Sequence, residues 1–437
     1  MSEVGDLRRA HRLLQDPQRV SDQLRGQSSP RLTAWVHGAI RHRRSVRAAV
    51  GGVARRAFKG RQPETEAALI LGGWRLLFGR EADPARAIEQ AAELVGGKRG
   101  RSKVARPLEL LQETILEPVD AHAGDDDVLP LTRERALRFR EPVLQVSGRR
   151  LAARLGILHS YPDELVERWL EDEGEAVARE LCWAHNDPPP LFARINPRRS
   201  TLEAVREALA AAGVETGTVP GHPLALRLEG GRAGFHQSEP WREGWFTVQD
   251  LTAQQAAAWV DPAPGERVLD LCAAPGGKTT AIAEAAEDAA EVWAVDKSAQ
   301  RLARVERACE RLGLRSVRCA PGDGRRVEVE GPFDATLVDA PCSNSGVLRR
   351  RPEARWRLEG QAVKRLARVQ AELLERACAL TRGRVIYSVC SIEPAEGRDL
   401  VRAALPLGWE LVREERWLPR PDGGDGGYLA RLEPTGR

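Results

Sequence analysis

The chain has little of what would mark it as secreted, membrane-bound or metal-bound. It has seven cysteines in 437 residues and no CxxC pair. That odd, scattered set argues against a disulfide framework or a zinc site, and for a reducing cytoplasm. No apolar run approaches a membrane span, and the opening MSEVGDLRRAHRLLQD lacks an apolar signal core. Lysine is scarce, with six among 67 basic residues, so the positive charge is almost all arginine. Acidic residues are missing from Gln23 to Pro63, where ten Arg or Lys include Arg41, Arg43, Arg44, Arg47, Arg55, Arg56, Lys59 and Arg61. Such a segment suits phosphate neutralisation. It equally suits a solvated helix face in an arginine-rich composition, and the residues alone leave both open. With 42% hydrophobic and 30% charged residues, the chain otherwise reads as an ordinary globular protein of two or three domains.

Residues 1 to about 120 read as all helix. Apolar positions recur at helical spacing through Ala67, Ala68, Ile70, Leu71, Trp74, Leu77 and Phe78, and again through Ala87, Ile88, Ala91, Leu94 and Val95. Asp83 and Pro84 form a helix start. The acidic, small-residue segment Asp120 to Pro130 reads as a linker. A small α+β unit is expected over 140–240, with a helix at 161–170, a strand at Leu191–Ile195, and a helix capped by Ser200 and stopped by Gly213. His159, His185, His222 and His236 stand alone, without metal-ligand spacing. From Trp241 to near Arg402, strands alternate with helices. The strand candidates are Val268–Leu271, Val292–Val295, Val317–Cys319, Ala335–Val338 and Val385–Val389, and the main helices are Ala299–Leu312 and Gln361–Leu380. The pattern predicts a doubly wound, parallel α/β sheet, closed by a hairpin of Trp409–Arg416 and Tyr428–Leu432.

The stretch VLDLCAAPGGKTT (268–280) is the first strand–turn–helix unit of that sheet. Gly276 and Gly277 let backbone approach a ligand, and the helix start near Lys278 offers free N–H groups. The turn is neither GxGxxG nor a Walker loop. Asp296 lies about twenty residues beyond Gly277, the spacing of a ribose-binding acid. S-adenosylmethionine, with a ribose, an adenine and a carboxylate but no phosphate, fits these features.

Ligands of open α/β sheets sit beyond the carboxyl ends of the strands. Four successive strand ends carry Asp296, Asp323, Asp339 and Cys390, and Cys342 follows in the turn after Asp339. Cys182, Cys309, Cys319 and Cys378 read as buried packing, and Cys272 as packing within the ligand turn. Two thiols beside a methyl donor suggest methylation of a pyrimidine at carbon 5, where a thiolate adds to carbon 6 and makes carbon 5 nucleophilic. The residues do not decide which thiol attacks, although Pro341 stiffens the turn that carries Cys342. Arg349, Arg350 and Arg351 form a cationic cluster, and Trp356 offers a possible stacking face for RNA.

These motifs resemble the RsmB/Sun-type (NOP2-Sun related) family of ribosomal RNA cytosine-5 methyltransferases. The likeness rests on VLDLCAAPGGKTT, PGDGRR, FDATLVDAPCSNSGVLRRRPEARW, IYSVCSIEPAEG, WFTVQDLTAQQAA and DGGYLARL. The segment 69–94 is similar to the NusB-like domain of the ribosomal RNA branch, and 188–213 to the family's small RNA-binding extension. The resemblance implies three domains: a NusB-like one over 1–120, the extension over 140–240 and a methyltransferase over 241–437. It implies that Cys390 is the nucleophile, that Cys342 assists release and that Asp339 lies beside the cytosine. Cys272, Ala273, Ala274, Pro275, Gly276, Gly277, Lys278, Asp296, Asp323 and Asp339 would form the S-adenosyl-L-methionine site. The implied partner is RNA, chiefly 16S ribosomal RNA, for a monomer that uses neither metal nor membrane. Val389, Asn344 and Gly397 depart from the usual Thr, Gly and Asn, and the first domain has SKVARPLEL where an Asn-containing segment is usual. An RNA-binding assembly factor without turnover, or an enzyme acting on transfer RNA, stays open as an alternative.

Overall fold

The computed structural model describes residues 2–17, 20–24, 29–79, 82–120, 125–230 and 234–436. By backbone contacts the chain forms two compact units. One comprises Met1–Pro188 with Leu348–Glu359, and the other Pro189–Val347 with Gly360–Arg437.

The second unit carries a seven-stranded sheet whose strands are β1 (Arg267–Asp270), β2 (Glu291–Asp296), β3 (Val317–Pro321), β4 (Phe333–Asp339), β5 (Thr381–Val389), β6 (Trp409–Trp417) and β7 (Gly427–Pro434). Their order is β3-β2-β1-β4-β5-β7-β6. The first five strands pair in parallel, and β7 joins β5 and β6 antiparallel. Chain order reverses between β1 and β4, and such a switch point opens a ligand crevice at the strand carboxyl ends. This is the Rossmann-like, doubly wound architecture expected from the alternating pattern.

Both faces are covered, which explains why the central strands read as apolar runs rather than as alternating ones. On one face Val268, Val292, Leu337 and Ile386 pack with Ile282, Leu302 and Val305, from the helices Gly277–Ala285 and Ala299–Leu312. On the other, Leu269, Val338, Val385 and Tyr387 pack with Leu373, Leu374 and Val401, from Gly360–Leu380 and Arg398–Ala404. The same unit holds a four-stranded antiparallel sheet in which Leu191–Ile195 lies between Ala225–Leu228 and Phe246–Val248. The helix Leu202–Ala211 packs on it through Val205 and Leu209. Its cap is Thr201, whose hydroxyl accepts from the Ala204 N–H at 3.2 Å, not Ser200. Gly213 follows at φ +74°, as a helix stop requires.

The first unit is mainly helical through Gly97–Thr114, and Asp83 caps Pro84–Glu93 as read from the sequence. The all-helix expectation fails at its end, because Ile115–Asp120 is a strand paired with Arg135–Phe139. The expected linker is also partly wrong. Residues 121–124 lie outside the described residues, but Val128–Pro130 is a strand with Val128 and Leu129 wholly buried. An acidic, turn-rich composition at 120–127 concealed the strand that follows it.

The segment Leu348–Glu359 folds with this helical unit, which takes Arg349 out of the expected cationic cluster and packs Trp356 against a core, while Arg350 and Arg351 are half-buried. Arg349 is fully buried, and its carbonyl accepts from Arg41 at 2.7 Å. Arg355 is also buried, lying 4.2 Å over the Tyr161 ring and donating to the carbonyls of Arg41, Ser160 and His185. Trp356 packs against the helical core and donates its indole N–H to Ile40. Packing takes Arg349 and Arg355 into the helical unit's core, which their charge alone did not suggest.

The basic stretch divides in the same way. Arg43 and Arg47 both bond Glu66, and Arg44 pairs with Asp163 at 2.6 Å. Arg55, Arg56 and Lys59 are exposed. Among the described residues no group of His, Cys, Asp or Glu could hold a metal ion, and no helix is long and apolar enough to cross a membrane.

Candidate active site

The candidate site lies at the carboxyl ends of β1, β2, β4 and β5, all within the second unit. The β1 turn comes first. Gly276 has φ +104°, and a Cβ there would lie 3.1 Å from the Val305 backbone, so only glycine sits without strain. The helix Gly277–Ala285 starts immediately after it.

Arg194, from the four-stranded sheet, braces this helix start. It donates to the Gly277 carbonyl at 2.8 Å, to Thr280 at 3.2 Å and to Gln249, and it pairs with buried Glu284 at 2.9 Å. Sequence reading missed Arg194. Its only signal was an arginine inside an apolar strand, LFARI, where a charge demands a partner.

At the β2 end Asp296 is almost wholly buried. It accepts from the Ser298 N–H at 2.9 Å and pairs with Arg301 at 3.3 Å. Arg301 also donates to the Ala274 carbonyl, tying this acid to the β1 turn. Asp323, beyond β3, is engaged by Arg325 at 2.6 Å, and that hydrogen bond holds its carboxyl down at about 2. Cys272 is half-buried, and burial pushes its thiol far up, which removes it as a nucleophile. Burial likewise pushes Cys182, Cys309 and Cys378 up to about 12.

Lys278 and Asp339 meet across the β1 and β4 ends at 2.6 Å. Burial works against the ammonium, but the Asp339 charge and hydrogen bond outweigh it and raise the Lys278 pKa. Asp339 also accepts from Ser388 on β5 at 3.1 Å. Directly below, Asp270 is wholly buried and accepts from Thr279 at 2.7 Å. Burial pushes its carboxyl up to about 7, and the nearby Asp339 adds to the rise.

The two thiols converge. Cys342 Sγ and Cys390 Sγ are 3.2 Å apart, although 48 residues separate them in the chain. The hydrogen bond with Cys390, then burial, raises the Cys342 pKa well above the usual thiol value. Asn344 bridges the pair: its amide donates to the Cys342 carbonyl at 2.9 Å and its Oδ1 accepts from Cys390 Sγ at 3.4 Å. Asn344 has φ +63°, the left-handed region. Asn is among the few non-glycine residues that enter it readily, which accounts for its standing at a usual glycine position. Gly397 has a packing reason as well, since a Cβ there would lie 3.0 Å from the Tyr428 ring. Val389, the last residue of β5, is buried in the apolar core.

The doubly wound sheet, the glycine turn and the acids at the strand ends define a Rossmann-like methyltransferase. The family described as 16S rRNA methyltransferase RsmB/F matches residues 257–433. The RsmF/B-like ferredoxin-like domain matches 161–233. The "Probable ribosomal RNA small subunit methyltransferase B" of Synechocystis sp. is 31% identical over 380 residues, spanning 85% of this chain and 80% of that protein. The "Ribosomal RNA small subunit methyltransferase B" of Salmonella newport is 37% identical over 286 residues, 62% of this chain and 66% of that one. The chain belongs to the RsmB/F family of 16S rRNA methyltransferases. Among solved structures, PH0851 superposes with a TM-score of 0.75 at 22% identity, covering 98% of each chain. A methyltransferase homologue from Pyrococcus horikoshii gives 0.59 at 23%, covering 65% of this chain and 99% of that one. These two speak to the fold.

The cofactor is S-adenosyl-L-methionine, and the donor set suits it. Gly276 clears space at the turn, the Asp296 carboxylate is fixed at the β2 end, and no phosphate-binding loop is present.

Proposed function

We propose that this RNA methyltransferase converts a cytosine of 16S ribosomal RNA to 5-methylcytosine through a covalent bond between Cys390 and the base. The observation that carries the reading is the 3.2 Å approach of two free thiols beside the Lys278–Asp339 pair. S-adenosyl-L-methionine, held by the turn 272–278 with Asp296 and Asp323, supplies an electrophilic methyl group when bound. The target base leaves its stack to reach this crevice.

Cys390 is the nucleophile. Its thiol gives up its proton to solvent, the sulfur adds to carbon 6, and the electron pair displaced onto carbon 5 makes that atom reactive. Asp339 is one-third exposed and already fixed by Lys278 and Ser388, so it is preorganised to accept from the exocyclic amino group. Once carbon 5 has bonded to the methyl group, its proton passes to solvent, and the electron pair left behind restores the ring double bond and expels the Cys390 sulfur. Cys342 stands within hydrogen-bonding range of that sulfur, in surroundings that favour its neutral thiol, so it steadies the departing thiolate. A thiol with a raised pKa suits that donor role and is poorly suited to attack.

The helical segment 1–120 is read as a NusB-like RNA-binding domain, in which exposed Arg55, Arg56 and Lys59 are available to phosphates. The segment 140–240 is read as the RNA-binding extension.

The test is incubation with protein-free 16S RNA and methyl-labelled cofactor, followed by nucleoside mass spectrometry. Label is expected in 5-methylcytidine, and Cys390→Ala abolishes it. Label in any other nucleoside, or label retained in Cys390→Ala, contradicts the reading.

A further inference from the structure

We infer that Glu396 is the positioning residue that sets the spacing of the two thiols; the inference rests on the two-thiol reading above. Glu396 is wholly buried. A buried carboxylate is costly unless several donors meet it, and here they do. Its Oε1 accepts from the Ser343 N–H at 2.9 Å and from Gln370 Nε2 at 3.0 Å. Its Oε2 accepts from the Ser391 hydroxyl at 2.6 Å and from the Ser343 hydroxyl.

Two of these partners are chain neighbours of the sulfurs. Ser343 follows Cys342 and Ser391 follows Cys390, so one rigid group grips both thiol loops from below. The grip is itself anchored. Tyr387 on β5 donates to the Glu396 carbonyl at 2.7 Å, and Gln370 donates a second hydrogen bond to the Pro341 carbonyl at 2.9 Å. Ser345 closes the lattice, lying 3.0 Å from the Ser391 hydroxyl and accepting from the Ile392 N–H at 2.9 Å.

The loops leave different strands, and their backbones meet where the Ala340 N–H donates to the Ser388 carbonyl at 2.9 Å and the Gly346 N–H to the Cys390 carbonyl at 3.1 Å, neither of which engages Cys342 itself. Among the described residues the side-chain ties between the loops are the Asn344 bridge, the serine contacts and Glu396. The carboxylate is the member that engages Ser343 and Ser391 together. Chemistry at carbon 6 and protection of the leaving sulfur both require the 3.2 Å geometry. A displacement of about 1 Å in such an arrangement can cost on the order of a hundredfold in rate.

The experiment measures formation of the denaturant-stable RNA adduct under single turnover. It uses full-length protein in the Cys342→Ala background, where the adduct persists, and tests Glu396→Ala, Glu396→Gln and Ser391→Ala. Calorimetry with S-adenosyl-L-methionine and a melting curve are run on each variant. Glu396→Ala is expected to slow adduct formation at least about tenfold, while cofactor affinity and RNA KM stay within about twofold. Glu396→Gln, which keeps one carbonyl oxygen, falls between it and the parent. Adduct formation at the parent rate in the Glu396 variants overturns the inference, as does a loss that only tracks lost cofactor binding. Should the Glu396 variants fail to fold, Ser391→Ala decides: a rate at least about threefold down supports the inference, and the parent rate overturns it. Parent protein that forms no adduct and no 5-methylcytosine is a different failure, that of the underlying reading.

Discussion

Arg194→Met removes one charge from a buried pair and leaves the other. Glu284 is 4% exposed, its Oε2 is held by Arg194 at 2.9 Å, and its Oε1 has no hydrogen-bond partner among the described residues. Methionine keeps the stem but gives Glu284 no counter-charge, and it takes donors from Gln249, Gly277 and Thr280. Breaking a buried pair from one side costs about 3–5 kcal/mol. Burial already raises the Glu284 pKa against the pull of Arg194, and without the arginine it rises further. An acid whose folded pKa is raised holds a proton that the unfolded chain releases, so stability falls as pH climbs above the unfolded value. The penalty should therefore be large at about pH 8 and shrink at about pH 5. Urea unfolding at both pH values measures this. Arg194→Met/Glu284→Met should recover most of the stability, because an apolar pair of similar volume is often neutral. It should not recover cofactor affinity, expected to be about 2–10-fold weaker, because the Gly277 carbonyl keeps its lost anchor. A single-mutant cost below about 1 kcal/mol at the higher pH, or one that grows toward acid, refutes the reasoning.

Two further outcomes are expected. Asp270 holds its proton up to about pH 7 in the fold. Its contribution is therefore most favourable at acid pH and declines from about pH 4 to about pH 7. Asp270→Asn should gain on the parent across that window, by at most roughly 4 kcal/mol; parallel stability–pH curves for the two proteins would rule this out. Asn344→Gly should change stability by less than about 1 kcal/mol, since glycine takes φ +63° freely. It should nevertheless slow methylation severalfold by removing the contact to Cys390. Asn344→Ala should lose the same contact and also pay about 1 kcal/mol of backbone strain, and equal stability of the Gly and Ala variants would contradict the conformational argument.

Local pattern carried the sheet. The central parallel strands are short apolar runs because helices cover both faces, and the helix Ala299–Leu312 is bounded as its spacing predicts. The acids and thiols were legible because the doubly wound topology puts strand ends on one rim. Long-range pairing was not legible. Arg194 and Glu284 are 90 positions apart, and Ser343 and Glu396 are 53 apart, so neither hub had a local signature. The segment Leu348–Glu359 was misread for the same reason. Three arginines in a row look solvated, and only the fold reveals that Arg349 is buried, as is Arg355 among the carbonyls that receive it. Asn344 was read as a departure, whereas its dihedral angle makes it a suitable replacement for glycine.

Everything proposed about the chemistry depends on which sulfur bonds to the base. Cys342→Ala, mixed with 16S RNA and S-adenosyl-L-methionine, denatured, digested and sequenced by mass spectrometry, identifies that atom directly. The account predicts a methylated cytidine adduct on Cys390. No adduct in a preparation that methylates the RNA, or a modification on any other residue, would contradict it.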